Sequence, residues 1–120
     1  MKFEHVALNL DRYREAADWY CAHLGMRIVR EKPGAMVFLA DETGAIVLEL
    51  YANGAAPFLQ SDVHHLTLHV AFTVDDVAAE SERLLAAGCS VSEALKHVGD
   101  ATMIMLRDPF GVSLQLVRRG

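Results

Sequence analysis

The chain has 120 residues, 52% of them hydrophobic, which is enough apolar material for one globular unit with a sizeable core. No apolar run approaches the ~18 residues of a membrane span, and no signal peptide is recognisable. The formal net charge is −5, and no cluster of Lys and Arg is present. Nucleic acid and anionic membranes are therefore not expected as partners. Cys21 and Cys89 lack the spacing of a metal motif, so we expect reduced thiols and a cytoplasmic location.

The predicted elements alternate in the same order in both halves of the chain. In chain order they are a strand at 2–10, a helix closed by Gly25, strands at 27–31, 36–40 and 45–51, a second first strand at 66–74, a helix closed by Gly88, and strands at 90–94, 102–106 and 112–118. Asp11 and either Asp75 or Asp76 are predicted to cap the two helices. Gly25 and Gly88 suit the left-handed position that follows a helix end.

This order reflects an internal duplication. The segment HVALNLDRYREA, which starts at His5, returns as HVAFTVDDVAAE from His69, and DETGAIVLELY from Asp41 returns as DPFGVSLQLV from Asp108. We therefore predict one α+β domain over residues 1–120, with module 1 at 1–52, a linker at 53–64 and module 2 at 65–120. The tandem βαβββ modules are expected to form a curved mixed sheet around a cleft, with the helices on the outer face.

Strand alternation places one polar side chain at each of four equivalent points. Val6, Leu8 and Leu10, and likewise Val70, Phe72 and Val74, form the apolar faces that should pack beneath the helices. The opposite faces carry the polar set His5, Glu49, His69 and Gln115. Such groups lining a cleft must be hydrogen-bonded, coordinated or solvated, because burying them unpaired costs several kcal/mol.

Two imidazoles, one carboxylate and one amide oxygen suit a divalent metal such as Zn, Ni, Mn, Fe or Co. Taken singly, each histidine is more typical of a hydrogen-bonded or exposed residue, and Glu49 and Gln115 are typical of solvated strand positions. The joint placement at equivalent points of a repeat favours the metal interpretation.

The residues EHVALNLD, DWYCAHLGM, IVLELY, HVAFTVDD, LLAAG and RDPFGVSLQLV resemble the vicinal oxygen chelate superfamily. This superfamily contains glyoxalase I, bleomycin-resistance proteins, fosfomycin-inactivating enzymes and extradiol dioxygenases. The resemblance covers nearly the whole chain. It implies metal ligands at His5, Glu49, His69 and Gln115, although bacterial glyoxalases and the dioxygenases usually have glutamate at the position of Gln115. An amide in place of a carboxylate should weaken metal affinity.

The resemblance also implies a glyoxalase-like lyase or isomerase, in which a metal-chelated substrate exchanges a proton with Glu49, the only carboxylate of the set. Asn53 matches an asparagine that contacts glutathione in the family. Asn53, Asn9 and Arg107 are the candidate substrate-binding residues. Asn9 stands where an arginine is usual, and Arg107 could bind an anionic substrate or pair with Asp108.

The alternative is a metal-free, bleomycin-resistance-type protein that sequesters a small molecule in the same cleft. A dioxygenase is favoured less, since those enzymes usually have twice this length. In either case the expected partner is a small molecule. Exposed sheet edges and the family's exchange of modules between chains predict a homodimer.

Overall fold

The computed structural model describes all residues, Met1–Gly120. The chain divides into two compact units, Met1–Leu59 and Gln60–Gly120, and the boundary falls inside the segment predicted as the linker. Each unit has one helix and one open, four-stranded mixed sheet. The predicted α+β class with two βαβββ modules is therefore confirmed, as two four-stranded sheets. Neither helix has the length and apolar character needed to cross a membrane.

The elements follow the predicted order. In the first unit they are β1 (Val6–Asn9), α1 (Tyr13–His23), β2 (Arg27–Lys32), β3 (Met36–Ala40) and β4 (Ile46–Tyr51), with the sheet order β1-β4-β3-β2. In the second unit they are β5 (Val70–Thr73), α2 (Val77–Ala86), β6 (Ser90–Val98), β7 (Ala101–Arg107) and β8 (Ser113–Arg118), with the order β5-β8-β7-β6. In each sheet the first strand runs parallel to the last strand, and the other pairs are antiparallel.

The core of each unit lies between its helix and one face of its sheet. Helix α1 packs on β2, β3 and β4, and α2 packs on β6, β7 and β8. In the first unit the buried side chains are Leu8, Leu10, Ala16, Ala17, Tyr20, Val37, Leu39, Leu48 and Leu50. In the second unit they include Val77, Leu84, Ile104, Leu106, Val112, Leu114 and Leu116. Each fully buried aliphatic side chain contributes about 1.5–3 kcal/mol relative to an exposed one, so this face fixes which way every strand points.

The first strand of each unit is shorter than the sequence predicts. Strands β1 and β5 begin at Val6 and Val70, so His5 and His69 stand immediately before a strand rather than within one. In the second unit the chain before β5 turns back on itself, because the amides of Thr67 and Leu68 both donate to the carbonyl of His64. Val6, predicted to be buried beneath the helix, is 43% exposed at the start of its edge strand.

Only one of the two predicted helix caps is correct. The carboxylate of Asp76 accepts the amide of Ala79 at 3.0 Å and caps α2. Asp11 does not cap α1, because that helix begins one residue later, after Arg12, with no side-chain cap. Gly25 and Gly88 have φ values of +66° and +114°, as expected for glycines that follow helix ends.

Candidate functional site

The sheet of the first unit brings its candidate residues onto the face turned away from α1. Ala7 pairs with Glu49 on one side, and Phe38 pairs with Glu49 on the other. Leu48 and Leu50, the neighbours of Glu49 on β4, are buried on the opposite face with the helix. Strand alternation therefore turns the carboxylate away from the core.

Glu49 borders an open depression of ≈ 420 Å³ within the first unit. Its lining includes Met36, Glu49, Tyr51 and Asn53 between the glycines Gly34 and Gly54. The side chain of Glu49 is partly buried, and no hydrogen bond or ion pair of the structure engages its carboxylate. The predicted base and the predicted substrate-binding asparagine thus line one cavity, and the carboxylate is available to a ligand.

His5 lies beside this row of side chains. Its ring meets the ring of Phe38 edge-on, with 5.1 Å between centroids, and its Nδ1 lies 2.8 Å from Oε1 of Glu4. An ionised carboxylate only accepts hydrogen bonds, so it favours the proton on Nδ1 and leaves the lone pair on Nε2. The imidazole is therefore set to act as a ligand or base through Nε2.

His69 in the second unit is held in the same way. Its Nδ1 donates to the backbone carbonyl of His65 at 2.8 Å, which again places the lone pair on Nε2. Gln115 is buried on β8, where its Nε2 approaches the sulfur of Met103 at 3.6 Å. This contact leaves the amide oxygen as the group that Gln115 can offer to a ligand.

The side chain of Asn9 contacts the backbone of the loop at 53–57. Its Nδ2 donates to the carbonyls of Asn53, Ala56 and Pro57 at 2.9, 3.3 and 3.2 Å, and its Oδ1 accepts the amide of Asn53 at 2.7 Å. Its amide group is thus engaged by backbone rather than turned toward a ligand. Asn9 is a positioning residue that fixes the loop carrying Asn53, and Asn53 Oδ1 accepts the amide of Ala55 at 2.9 Å in the same loop.

Arg107 is also tied to backbone. Its guanidinium donates to the carbonyls of Gly111 and Val63, both at 2.9 Å. The carboxylate of Asp108 accepts the amides of Phe110 and Val112 and shapes the β7–β8 turn. Through these bonds Arg107 joins that turn to the segment before β5, and its contact with a substrate stays a prediction.

His65 is a buried polar residue whose partners the sequence does not indicate. His65 is buried, with Nδ1 2.7 Å from Ser92 Oγ and Nε2 3.1 Å from a carboxylate oxygen of Glu93. Lys96 pairs with the same carboxylate, and its hydrogen bond, followed by that of His65, lowers the pKa of Glu93. Strand β6 thus contributes a polar cluster that residue spacing alone could not locate.

The predicted metal ligands divide equally between the units, with His5 and Glu49 in the first and His69 and Gln115 in the second. The structure contains no group of three or more His, Cys, Asp and Glu side chains arranged to hold a metal ion. The donor types fit a divalent metal, and the two Nδ1 contacts match the usual outer-shell support of ligating histidines.

A model of the glyoxalase/bleomycin resistance protein/dioxygenase superfamily matches residues 2–116. The chain belongs to this superfamily. It is 28% identical to lactoylglutathione lyases of two Neisseria meningitidis strains, with 99% of this chain and 91% of each relative covered. It is 30% identical to biphenyl-2,3-diol 1,2-dioxygenase 2 of Rhodococcus globerulus, of which it spans 61%.

Solved structures with the same fold include a binding protein and a lyase. TnmS3, an antibiotic binding protein from Streptomyces sp. CB03234, is similar with a TM-score of 0.75 and 21% identity, covering 100% of this chain and 97% of that one. A lactoylglutathione lyase from Agrobacterium tumefaciens is similar with a TM-score of 0.70 and 22% identity, covering 98% and 92%. At such identities the likeness establishes the fold and leaves the activity to the site residues.

Proposed function

We propose that the protein is a metal-dependent lyase or isomerase of the glyoxalase type that acts on a small substrate with vicinal oxygens. The observation that supports this most directly is the state of the two imidazoles. His5 and His69 both present Nε2, because each Nδ1 is engaged by an oxygen acceptor. This carboxylate- or carbonyl-backed arrangement is typical of histidines that bind metals.

In this proposal the metal ligands are the four residues that the family resemblance implies, His5, Glu49, His69 and Gln115. The metal would polarise a substrate carbonyl or enediolate oxygen. Glu49 removes a proton from the adjacent carbon and returns it to the neighbouring one, since it is the only carboxylate of the set. The depression beside Glu49 receives the substrate, and Asn53 at its rim is the proposed polar contact. Arg107 keeps the β7–β8 turn in place. We also expect a cytoplasmic homodimer.

The metal content of protein purified without chelator tests the proposal. We expect stoichiometric Ni, Zn, Mn, Fe or Co in the wild type and its loss in His5→Ala and His69→Ala. His97→Ala is the matched control, because His97 is an exposed histidine whose Nδ1 contacts Thr102 Oγ1. Wild-type protein that neither contains nor takes up any of these metals would contradict the proposal.

Gln115→Glu gives a second, thermodynamic test. Without metal, a carboxylate at this position, where Gln115 is 8% exposed, should destabilise the fold by about 1–3 kcal/mol. Added metal should stabilise Gln115→Glu by more than it stabilises the wild type, because the extra negative charge strengthens metal binding. Equal metal-induced gains in both proteins would show that position 115 does not contact the metal.

A second candidate is a metal-free binding protein that sequesters a small molecule. Two observations favour it: no three-residue metal-binding group is present, and an amide occupies the place of the usual carboxylate. The fold likeness to an antibiotic binding protein is consistent with it. Under this proposal the purified protein binds its ligand equally well with and without chelator. Loss of binding on chelation would exclude it.

A further inference from the structure

The faces turned away from the helices carry matching rows of side chains, one residue from each strand. In the first unit the row is Ala7, Glu49, Phe38 and Arg30, since Ala7 and Phe38 both pair with Glu49, and Arg30 pairs with Phe38. In the second unit the row is Ala71, Gln115, Met105 and Glu93. Arg30 and Glu93 therefore occupy equivalent positions with opposite charge.

The charge of Glu93 is balanced within its own unit. His65 Nε2 lies 3.1 Å from one carboxylate oxygen, and Lys96 pairs with the other. The row of the second unit thus ends in a carboxylate that already has two partners. The carboxylate of Glu93 therefore needs no charged ligand to balance it.

Arg30 has no such balance. Its guanidinium carbon stands 5.9 Å from the centroid of the Phe38 ring, and no carboxylate pairs with it. Glu31, the next residue of β2, pairs instead with Arg14 of α1. A guanidinium near an aromatic face keeps its N–H donors available to other partners, and its planar fork matches a carboxylate.

We propose that Arg30 binds a carboxylate of the substrate, so that the substrate class is a small, anionic molecule with vicinal oxygens at one end and a carboxylate at the other. This inference rests on the proposed function for the end of the substrate that meets Glu49. Strands β4 and β2 are two strand spacings apart, about 9–10 Å. Phe38 stands between Glu49 and Arg30 in the row, and its buried ring contacts the ring of His5.

The probes for the test are 3,4-dihydroxyphenylacetate and its neutral amide, which share the vicinal oxygens and differ in the carboxylate. Binding of each to metal-free and metal-loaded protein is measured by NMR titration, with the Nε–H signal of Arg30 as the local reporter. The variants are Arg30→Gln and Arg30→Lys. Arg27→Gln is the control, because it makes the same charge change on the same strand, where the guanidinium lies beside Gly44.

In metal-free wild type the acid should bind about five- to tenfold more tightly than the amide, as expected for a charge-assisted, bidentate contact near the surface. The Arg30 Nε–H signal should shift with the acid and not with the amide. The preference should disappear in Arg30→Gln, fall in Arg30→Lys and persist in Arg27→Gln. Equal binding of acid and amide, binding of neither, or a preference that survives Arg30→Gln would overturn the proposal.

The metal-loaded samples separate this inference from the proposed function. Chelation of the vicinal oxygens predicts that metal raises the affinity of acid and amide by the same factor. A preference for the acid that depends on Arg30, together with no effect of metal, would leave the anion site standing and reject the metal-dependent enzyme. A metal effect without a preference for the acid would reject the anion site and support the metal-dependent enzyme.

Discussion

The loop beside the candidate site depends on one side chain, and replacing Asn9 with alanine tests this. The side chain makes four hydrogen bonds to backbone groups of residues 53–57. The two shortest, at 2.7 and 2.9 Å, should contribute about 1 kcal/mol each. The two longer ones contribute less, because two amide protons serve three carbonyls and because water can reach those acceptors once the side chain is gone. We expect Asn9→Ala to lower the free energy of unfolding by about 2 kcal/mol.

Urea unfolding at pH 7 measures the global effect, and amide hydrogen exchange at Asn53 measures the local one, since that amide donates to Asn9 Oδ1. Asn53→Ala is the matched control. It removes one side-chain acceptor in an exposed turn and should cost about 0.5 kcal/mol. Asn9→Asp keeps the acceptor but places a carboxylate against three carbonyls, so it should be at least as harmful as alanine. Equal costs for the two alanine variants, with unchanged exchange at Asn53, would refute the positioning role.

Three further outcomes follow from buried or charged groups elsewhere in the second unit. Ser113→Ala should raise stability by about 0.5–1 kcal/mol, because the buried hydroxyl of Ser113 has no hydrogen-bond partner; a lower urea midpoint would reveal a partner. Burial, followed by the charge of Asp108, raises the pKa of Cys89 to about 12, so alkylation of this thiol by iodoacetamide at pH 8 should be slower by orders of magnitude in the folded than in the unfolded chain, and comparable rates would contradict this. The lowered pKa of Glu93 stabilises the fold above the carboxyl's ordinary pKa, near pH 4.3, and this contribution is lost as pH falls through the lower, folded-state pKa. Glu93→Gln should therefore reduce the free energy of unfolding at pH 7 and make it depend less on pH in the acid range. An unchanged dependence on acid pH would show that the pairing with Lys96 and His65 contributes no stability.

Much of the fold was predictable because the repeat supplies two independent copies of each signal. Strand β3 has the predicted limits and β4 differs from its prediction by one residue. In β4 the buried Leu48 and Leu50 alternate with half-buried neighbours. The first strands were predicted too long. Alternation alone cannot show that the pairing of β1 with β4 begins only at Val6 and Leu48.

The site was less predictable where a single side chain serves distant backbone. Nothing in the sequence around Asn9 indicates that the loop at 53–57 returns to it, because the path of an irregular loop is set by packing rather than by local pattern. The contact of Arg107 with Val63 could not be predicted for the same reason, as the two residues are 44 positions apart. Polar residues that stabilise loops and polar residues that bind ligands look alike until their partners are known.

Strand β2 shows most clearly where alternation fails and why this matters for function. A register shift between Ile28 and Arg30 interrupts the alternation of β2, and a similar shift separates Val91 from Glu93 in β6. A bulge moves each following side chain to the other face, so counting by twos from the start of the strand places both residues on the wrong side. The two bulges stand at equivalent points, which brings Arg30 and Glu93 into the same rows as Glu49 and Gln115. The duplication therefore conserves the framework of the row and varies its chemistry at two positions. In the first unit the free carboxylate of Glu49 and the unpaired guanidinium of Arg30 face the same side of the sheet. Under the proposal above, a small anionic substrate contacts both groups.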